Sequence, residues 1–305
     1  MSRITDALRK AAAERDARLK EGAPPEERTA QPPDPVPVVE EPSEPEVAPA
    51  AEAPPAAVHE AVPPQSVEQP RLPSGLRVVR VGGVDEHVVH QSQPNSQCSE
   101  QFRVLREQLR GGATGSPPEI LVVTSADNTP SRPVSSLNLA LAFAEDKSIS
   151  VLVIDGNLRD PSFDALLSLP AGPGLADCLA GRCEAKGVLV SWEGVDNLRV
   201  LTAGSLSGSA ATELLSSARM ADTLGGFREA FDCVIIDMPS PIHLADTRQV
   251  APLAEGVLIV AEAGKTRREV IHRAQSRLAE ARARVLGVAL TDVQRVIPDF
   301  IYRHL

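Results

Sequence analysis

One stretch of this sequence, residues 120–159, limits the possible folds more than any other part of the chain. It begins with an apolar, β-branched run at 120–124, which predicts a buried strand. A polar loop at 125–133 follows, and then a helix-period stretch carries leucines and Phe143 among alanines. A second apolar run at 151–154 predicts another buried strand and ends on Asp155. Phosphate-binding loops occur in this strand–loop–helix–strand setting.

Strands and helices continue to alternate outside this unit. Further apolar runs predict strands at 76–81, 198–201, 233–236, 256–261 and 285–290. Helix-period stretches predict helices at 96–111, 211–230, 242–253 and 266–282. Continuous apolar strands separated by helices indicate a mostly parallel sheet covered on both faces. We therefore predict a doubly wound α/β domain over 76–305.

The chain before this domain has a different composition. Residues 22–73 hold 15 of the 27 prolines, with ten acidic and two basic residues. Such a segment lacks the apolar content that offsets the entropy of ordering, so we predict a disordered acidic tether over 22–75. Residues 1–21 are strong helix formers with a thin apolar stripe. They predict an amphipathic helix that is either solvated or docks onto a partner.

Composition excludes several classes of protein. The net charge of −10 comes mostly from the tether and the remainder is nearly balanced, so we expect no nucleic-acid binding through a basic surface. No apolar run approaches the ~18 residues of a membrane span, and the N-terminus lacks the apolar core of a signal peptide. Since only 3% of residues are aromatic, the core has to rest on Leu, Val, Ile and Ala. We predict a cytoplasmic protein without its own transmembrane segment, held at the inner face of the membrane only through a partner.

The cysteine, histidine and tryptophan residues do not occur at the spacings typical of metal ligands. The cysteines form no CxxC pair and lack a histidine at zinc-ligand spacing, so we expect buried free thiols in a reducing compartment. They are Cys98, Cys178, Cys183 and Cys233. The six histidines and Trp192 are given structural or solvent-exposed roles. Asp246 is interpreted as a helix-start or surface residue.

Two aspartates stand where ligands bind in an open α/β sheet, beyond the carboxyl ends of strands. Asp155 ends the strand at 151–154, and Asp237 ends the strand at 233–236. Two carboxylates beside a loop at a helix start suit a magnesium–nucleotide site. One such aspartate would indicate little, so the prediction rests on the pair.

The predicted helix at 96–111 carries charges at a regular spacing. Glu100, Arg103 and Arg106 follow one another at intervals of three residues along one flank. One interpretation is a solvated charged face. The other is an interface in which a carboxylate meets a guanidinium of a neighbouring subunit.

Several motifs, in order, resemble those of the bacterial tyrosine kinases of capsule and exopolysaccharide synthesis, which are relatives of the P-loop ATPases. VLVIDGNLRDPS at 151–162 resembles the second Walker motif of that family, and FDCVIIDMPSP at 231–241 resembles its Walker B strand. Glu100-x-x-Arg103-x-x-Arg106 matches its oligomerisation motif, which favours the interface interpretation and a homo-oligomer. The resemblance covers about residues 90–292. It implies a P-loop NTPase-like fold.

The resemblance also implies roles for individual positions. The catalytic positions are Asp155, Asn157 and Asp237, and two of these, Asp155 and Asp237, are the magnesium positions. The nucleotide-binding positions are Thr129, Ser131, Arg132, Pro133, Val134 and Arg159. The family's kinases carry a C-terminal tyrosine cluster, whereas this chain has one tyrosine, Tyr302, which is the candidate phosphate acceptor.

The loop departs from the family pattern. TSADNTPSRPVSSLNLA, at 124–140, aligns without a gap to TSxxPGEGKSTxxxNLA. Thr129 and Ser131 replace the two glycines. Arg132 replaces the lysine, and Pro133 replaces the residue whose hydroxyl binds magnesium. Further departures lie at three other family positions, Asn157, Ser240 and Thr291.

These substitutions affect phosphate binding directly. A phosphate cradle needs consecutive backbone N–H groups and close approach, whereas Pro130 and Pro133 each remove one donor. The planar fork of Arg132 does not simply replace a compact ammonium group. We therefore expect no nucleotide, or only weak binding of Mg-ATP or Mg-ADP.

Three functions are compatible with this sequence. The preferred one is a catalytically degenerate kinase-like protein that acts as a cytoplasmic partner of a membrane polysaccharide chain-length or export protein. The alternative is an active tyrosine autokinase of the same pathway, which would use Arg132, Asp155 and Asp237 on Mg-ATP and phosphorylate Tyr302. A deviant-Walker partition-type ATPase is the third. That class needs an intact lysine-bearing loop.

Overall fold

The computed structural model of the protein describes residues 78–110, 115–206 and 211–293. The helix predicted at 1–21, the tether predicted at 22–75 and Tyr302 all lie outside these ranges. The described residues contain eight strands. They are β1 (Val78–Val79), β2 (Ile120–Ser125), β3 (Val151–Asp155), β4 (Val190–Trp192), β5 (Val195–Leu201), β6 (Cys233–Asp237), β7 (Gly256–Glu262) and β8 (Val285–Thr291).

The strands form one sheet in the order β1-β4-β5-β3-β6-β2-β7-β8. From β5 to β8 every neighbouring pair in that order is parallel. Strand β4 runs antiparallel to β5, and β1 pairs with β4 in parallel. The predicted mostly parallel sheet is therefore confirmed, with an antiparallel addition at one edge.

Ten α-helices lie in the described part of the chain. They are α1 (Val89–Ser92), α2 (Gln97–Leu109), α3 (Ser131–Ala144), α4 (Phe163–Leu166), α5 (Leu175–Leu179), α6 (Ala185–Val188), α7 (Ala211–Leu215), α8 (Ala218–Ala230), α9 (Asp246–Val250) and α10 (Arg268–Glu280). Two short 3₁₀ turns, Val81–Gly83 and Ala251–Leu253, complete the set. None of the helices in these ranges is long and apolar enough to cross a membrane.

Side chains of the central strands alternate between two buried clusters. Along β2, Ile120 and Val122 join one cluster, whereas Leu121 and Val123 join the other. The first cluster includes residues of α5, α8 and α10, and the second is filled mainly by α3. Successive residues of a strand point to opposite faces, so these clusters are the two covered faces of the sheet. The doubly wound fold is confirmed.

Helix α3 is the most completely buried of the long helices in the described ranges, and it leads away from the loop after β2. Twelve of its fourteen residues are buried, including Leu137, Leu139 and Phe143. It packs against α2 on one side and against the sheet on the other. The start of α3 is thereby fixed at the carboxyl ends of the central strands, where the ligand site was predicted.

The structure also corrects several predicted boundaries. Of the strand predicted at 76–81, the described residues contain β1, which ends at Val79. Strand β4 was not predicted, because three residues give too little periodicity to detect. The helix predicted at 211–230 is interrupted, because the Ser217 hydroxyl accepts the Met220 N–H at 3.3 Å and starts a new helix. The helix predicted at 242–253 begins only at Asp246.

Candidate functional site

The two strand-end aspartates meet at one edge of the sheet. Asp155 and Asp237 are direct register partners on β3 and β6, and Val123 on β2 is the partner of Asp237 on its other side. Both aspartates are fully buried. The close passage of the chain after β3 requires glycine at position 156, because a Cβ there would lie 2.9 Å from the Asp237 carbonyl oxygen and 2.4 Å from the Met238 sulfur. The structure thus brings the predicted pair together.

Arg132, in the first turn of α3, binds Asp237 directly. Its Nε lies 3.0 Å from Asp237 Oδ1, and its Nη2 lies 3.0 Å from Oδ2. The Ser136 hydroxyl donates to Oδ1 at 2.8 Å. Arg132 is only 5% exposed, so this is a buried ion pair with both carboxylate oxygens engaged. Burial raises the pKa of Asp237, while the guanidinium and the Ser136 hydroxyl oppose that rise.

Asp155 is held by the backbone that follows it. Its Oδ1 accepts the Asn157 N–H at 3.1 Å, and its Oδ2 accepts the N–H groups of Ser162 and Phe163 at 2.9 and 3.0 Å. Two of these donors lie at the start of α4. Burial first, and then the charge of Asp237, raise the pKa of Asp155 to about 7. Asp155 therefore organises the turn after β3.

The loop between β2 and α3 is closed by a carboxylate that the sequence analysis did not single out. Glu262, at the end of β7, accepts hydrogen bonds from the hydroxyls of Thr129 and Ser131. Lys265 lies 2.8 Å from its other oxygen and, with Thr129, lowers the pKa of Glu262. A negative charge thus faces two of the positions that would cradle phosphate. The available sequence signal was an acidic residue directly after the buried run at 256–261.

The prolines of the loop are accommodated by the helix start. Residues 125–133 were predicted as loop, but α3 begins at Ser131, so Pro130 precedes the helix and Pro133 lies in its first turn. A proline is tolerated there, because first-turn N–H groups have no partner within the helix. Pro133 is buried, and Val134 is partly buried within the same turn. Neither residue supplies a hydroxyl.

Arg159 and Asp246 form a second ion pair beside this edge. Arg159 Nε donates to Asp246 Oδ2 at 2.8 Å, and the Thr212 hydroxyl donates to Oδ1 at 2.6 Å. The interpretation of Asp246 as a helix-start residue is confirmed, but as a surface residue it is wrong, since it is 1% exposed. Asn157 donates from its side chain to the Asp160 carbonyl at 2.6 Å. In this arrangement Arg159 and Asn157 serve local structure.

The charges on α2 are engaged within the chain. Arg103 donates to both oxygens of Glu145 at 3.0 Å and to Glu100 at 2.9 Å, and Arg106 reaches Glu145 at 3.1 Å. His90 Nε2 lies 3.0 Å from the same carboxylate. Glu145 lies at the C-terminal end of α3 and therefore ties α2 to that helix. In any contact with a neighbouring subunit, these arginines would have to bind that subunit and Glu145 at the same time.

The expectation of free thiols is confirmed, and that of burial is partly wrong. All four cysteines are free, but Cys98 is exposed and Cys183 is half-buried. Within the described ranges, no group of three or more acidic, histidine or cysteine side chains could hold a metal ion. Among the described residues, the aspartate pair therefore has no third protein ligand of these types.

Comparison with known proteins finds relatives of the kind that the sequence motifs resemble. No protein-family model matches the chain. It is 29% identical over 215 residues to the tyrosine-protein kinase YwqD of Bacillus subtilis, covering 70% of this chain and 90% of that one. It is 28% identical over 208 residues to the succinoglycan biosynthesis transport protein ExoP of Rhizobium meliloti, covering 67% of this chain and 26% of that one.

A solved structure shows the same fold. The kinase domain of the Escherichia coli tyrosine kinase ETK superposes with a TM-score of 0.61 at 24% identity, covering 69% of this chain and 83% of the domain. The sheet order, the buried α3 and the paired strand-end aspartates agree with the predicted P-loop NTPase-like architecture. This chain is similar in sequence to bacterial tyrosine-protein kinases and has the mostly parallel α/β fold of the ETK kinase domain.

Proposed function

We propose that this chain is a catalytically inactive relative of the bacterial tyrosine kinases that acts in exopolysaccharide or capsule synthesis. The observation that carries the proposal is the buried Arg132–Asp237 pair. In it, the residue at the lysine position of the loop neutralises the carboxylate that would serve magnesium. The names of the relatives, which include a polysaccharide transport protein, support the pathway.

The residues at this edge do not fit a magnesium–nucleotide complex. Mg²⁺ requires oxygen ligands in near-octahedral geometry, whereas both oxygens of Asp237 accept from Arg132. Phosphate requires backbone N–H donors and positive charge, whereas the loop presents two prolines and faces the Glu262 carboxylate. We therefore assign no step of phosphoryl transfer to these residues.

In this function the protein acts by binding a partner rather than by catalysing a reaction. The partner is a membrane polysaccharide chain-length or export protein, engaged from the cytoplasm by the folded domain or by residues 1–21. Helix α2 offers Glu100, which is exposed beside Arg103, as the charged group for a homo-oligomer. Asp155 and Asp237 remain as structural acceptors and counter-ions.

Calorimetric titration of Mg-ATP and Mg-ADP into the full chain tests the inactive site. We expect no binding at millimolar nucleotide, since the Arg132–Asp237 pair and the Glu262 carboxylate oppose the metal and the phosphates. A restored-loop variant serves as positive control. It carries Asn128→Pro, Thr129→Gly, Pro130→Glu, Ser131→Gly, Arg132→Lys, Pro133→Ser and Val134→Thr. We expect it to gain binding, whereas Arg132→Lys alone should not.

Micromolar binding by the unmodified chain would contradict the proposal and favour the active autokinase. The observation that favours that second function is the retention of both strand-end aspartates as register partners. The autokinase predicts phosphate on Tyr302 after incubation with Mg-ATP. A Tyr302→Phe variant would then lose the label.

Truncation of the chain tests the proposed interaction with a membrane partner. Docking through residues 1–21, rather than through the folded domain, predicts that removing this segment releases the chain from the membrane fraction of its host. The Tyr302→Phe variant should stay with the membranes, since docking does not need phosphorylation. Fractionation followed by immunoblotting measures both. Equal distribution of the truncated and complete chains would exclude the segment as the docking element.

A further inference from the structure

Two thiols lie in contact beside a cavity that is separate from the aspartate edge. The Sγ atoms of Cys178, at the end of α5, and Cys183 are 3.4 Å apart. Both residues line a cavity of about 720 Å³, whose apolar wall includes Leu189, Phe227 and Phe231. Cys178 is buried and Cys183 is partly exposed. Closing a disulfide requires the sulfurs to approach by roughly 1.4 Å, to the bonded distance of about 2.05 Å.

The cavity lining carries basic side chains. Lys186 and Arg219 line the cavity, both are exposed, and in the described part of the chain neither has an ion-pair partner. Arg219 approaches the backbone at Gly181, between the two cysteines; a Cβ there would lie 2.1 Å from Arg219 Nη1. Glu184 is the acidic residue of the lining. A cavity of this size, with an apolar wall and unpaired cations, suits a small organic anion.

We propose that this cavity binds an anionic low-molecular-weight disulfide of the oxidised-glutathione class, which converts Cys178 and Cys183 into a reversible disulfide. The thiolate of Cys183 attacks one sulfur of the reagent, breaks its S–S bond and releases one reduced thiol, which takes up a proton. Cys178 then loses its proton, attacks the Cys183 sulfur of the mixed disulfide and expels the second reduced thiol. Two protein thiols are oxidised and one reagent disulfide is reduced, so atoms and electrons balance.

The accessibility of the two thiols determines which of them reacts first. Cys183 is partly exposed, whereas burial raises the pKa of Cys178 to about 12, which leaves little thiolate there for the first attack. Contact between the sulfurs favours the second step, since the resolving thiol is already in place. Cys98 and Cys233 lack this arrangement: Cys98 is exposed and Cys233 is fully buried.

The first test is incubation of the full chain with oxidised glutathione, alkylation of the remaining thiols and peptide mass mapping. We expect a Cys178–Cys183 linkage in the wild-type chain. Cys178→Ser should trap one glutathione on Cys183, and Cys183→Ser should leave Cys178 unmodified. Cys98 provides the internal control, because it can acquire glutathione but has no neighbouring thiol to displace it. If Cys178 and Cys183 stay reduced while Cys98 is modified, the proposal is wrong.

The second test separates binding from simple thiol reactivity. Lys186→Ala combined with Arg219→Ala should slow linkage by oxidised glutathione several-fold. The same variant should react with neutral hydroxyethyl disulfide at the wild-type rate, which also shows that the variant is folded. If the variant reacts with oxidised glutathione as fast as wild type, the cavity does not select the anion and the proposed binding site is overturned.

Discussion

Replacing Arg132 by alanine is expected to lower the free energy of unfolding by about 3–5 kcal/mol, the usual cost of removing one partner of a buried ion pair. Asp237 is 0% exposed, so its charge would have no access to water. The Ser136 hydroxyl would remain at 2.8 Å, but one neutral donor does not offset a buried carboxylate. Equilibrium urea unfolding of the full chain at neutral pH measures the loss.

The loss should also depend on pH. Burial already raises the pKa of Asp237, and removing the guanidinium raises it further. A carboxyl whose pKa is raised on folding stabilises the fold at low pH and loses that contribution as pH rises. The Arg132→Ala variant should therefore lose less stability at about pH 5 than at about pH 8.

Two control variants make the result specific. Arg132→Met combined with Asp237→Asn removes both charges and should recover most of the stability, because no uncompensated ion remains buried. Arg277→Ala removes the exposed Arg277–Glu280 pair and should change the free energy of unfolding by less than about 0.5 kcal/mol. A loss below about 1 kcal/mol for Arg132→Ala would contradict a tightly coupled buried pair.

The strands and long helices could be predicted from the sequence because their signals are local. The runs at 120–124 and 233–236 are continuous and apolar, and the period of α3 is clear, so the parallel sheet and its aspartate-bearing edge followed. Strand β4 could not be predicted, because its pairing with β5 depends on chain geometry rather than on a three-residue pattern. The break before Ser217 was missed for a related reason, since a serine cap is weak evidence inside a helical stretch.

The candidate site was predictable in its members but not in its contacts. Sequence placed Arg132 and Asp237 at the same edge, yet nothing local required the guanidinium to bind that carboxylate. Glu262 lies 133 residues from Thr129, so their contact depends on the neighbouring positions of β2 and β7. The burial of Asp246 could not be predicted for the same reason, because its contact with Arg159 joins elements that are far apart in the chain.

The surroundings of Asp155 act on its pKa in opposite directions. Burial and the charge of Asp237 favour the protonated acid, whereas three backbone N–H groups favour the carboxylate. The balance gives a pKa of about 7, so near neutral pH much of the population carries a protonated Asp155.

The difference in unfolding free energy between wild type and Asp155→Asn should therefore fall as pH rises from about 4 to about 7. Asparagine does not titrate, so the difference isolates Asp155 from acids with lowered pKa values, such as Glu145 and Asp177. At about 1.4 kcal/mol per pKa unit, the change amounts to at most about 4 kcal/mol. Urea unfolding of both proteins across this pH range measures the change. The substitution also removes a hydrogen-bond acceptor, but that cost is the same at every pH and leaves the trend unaltered. A difference that grows with pH would mean that the three N–H donors outweigh burial and that Asp155 is charged in the folded protein.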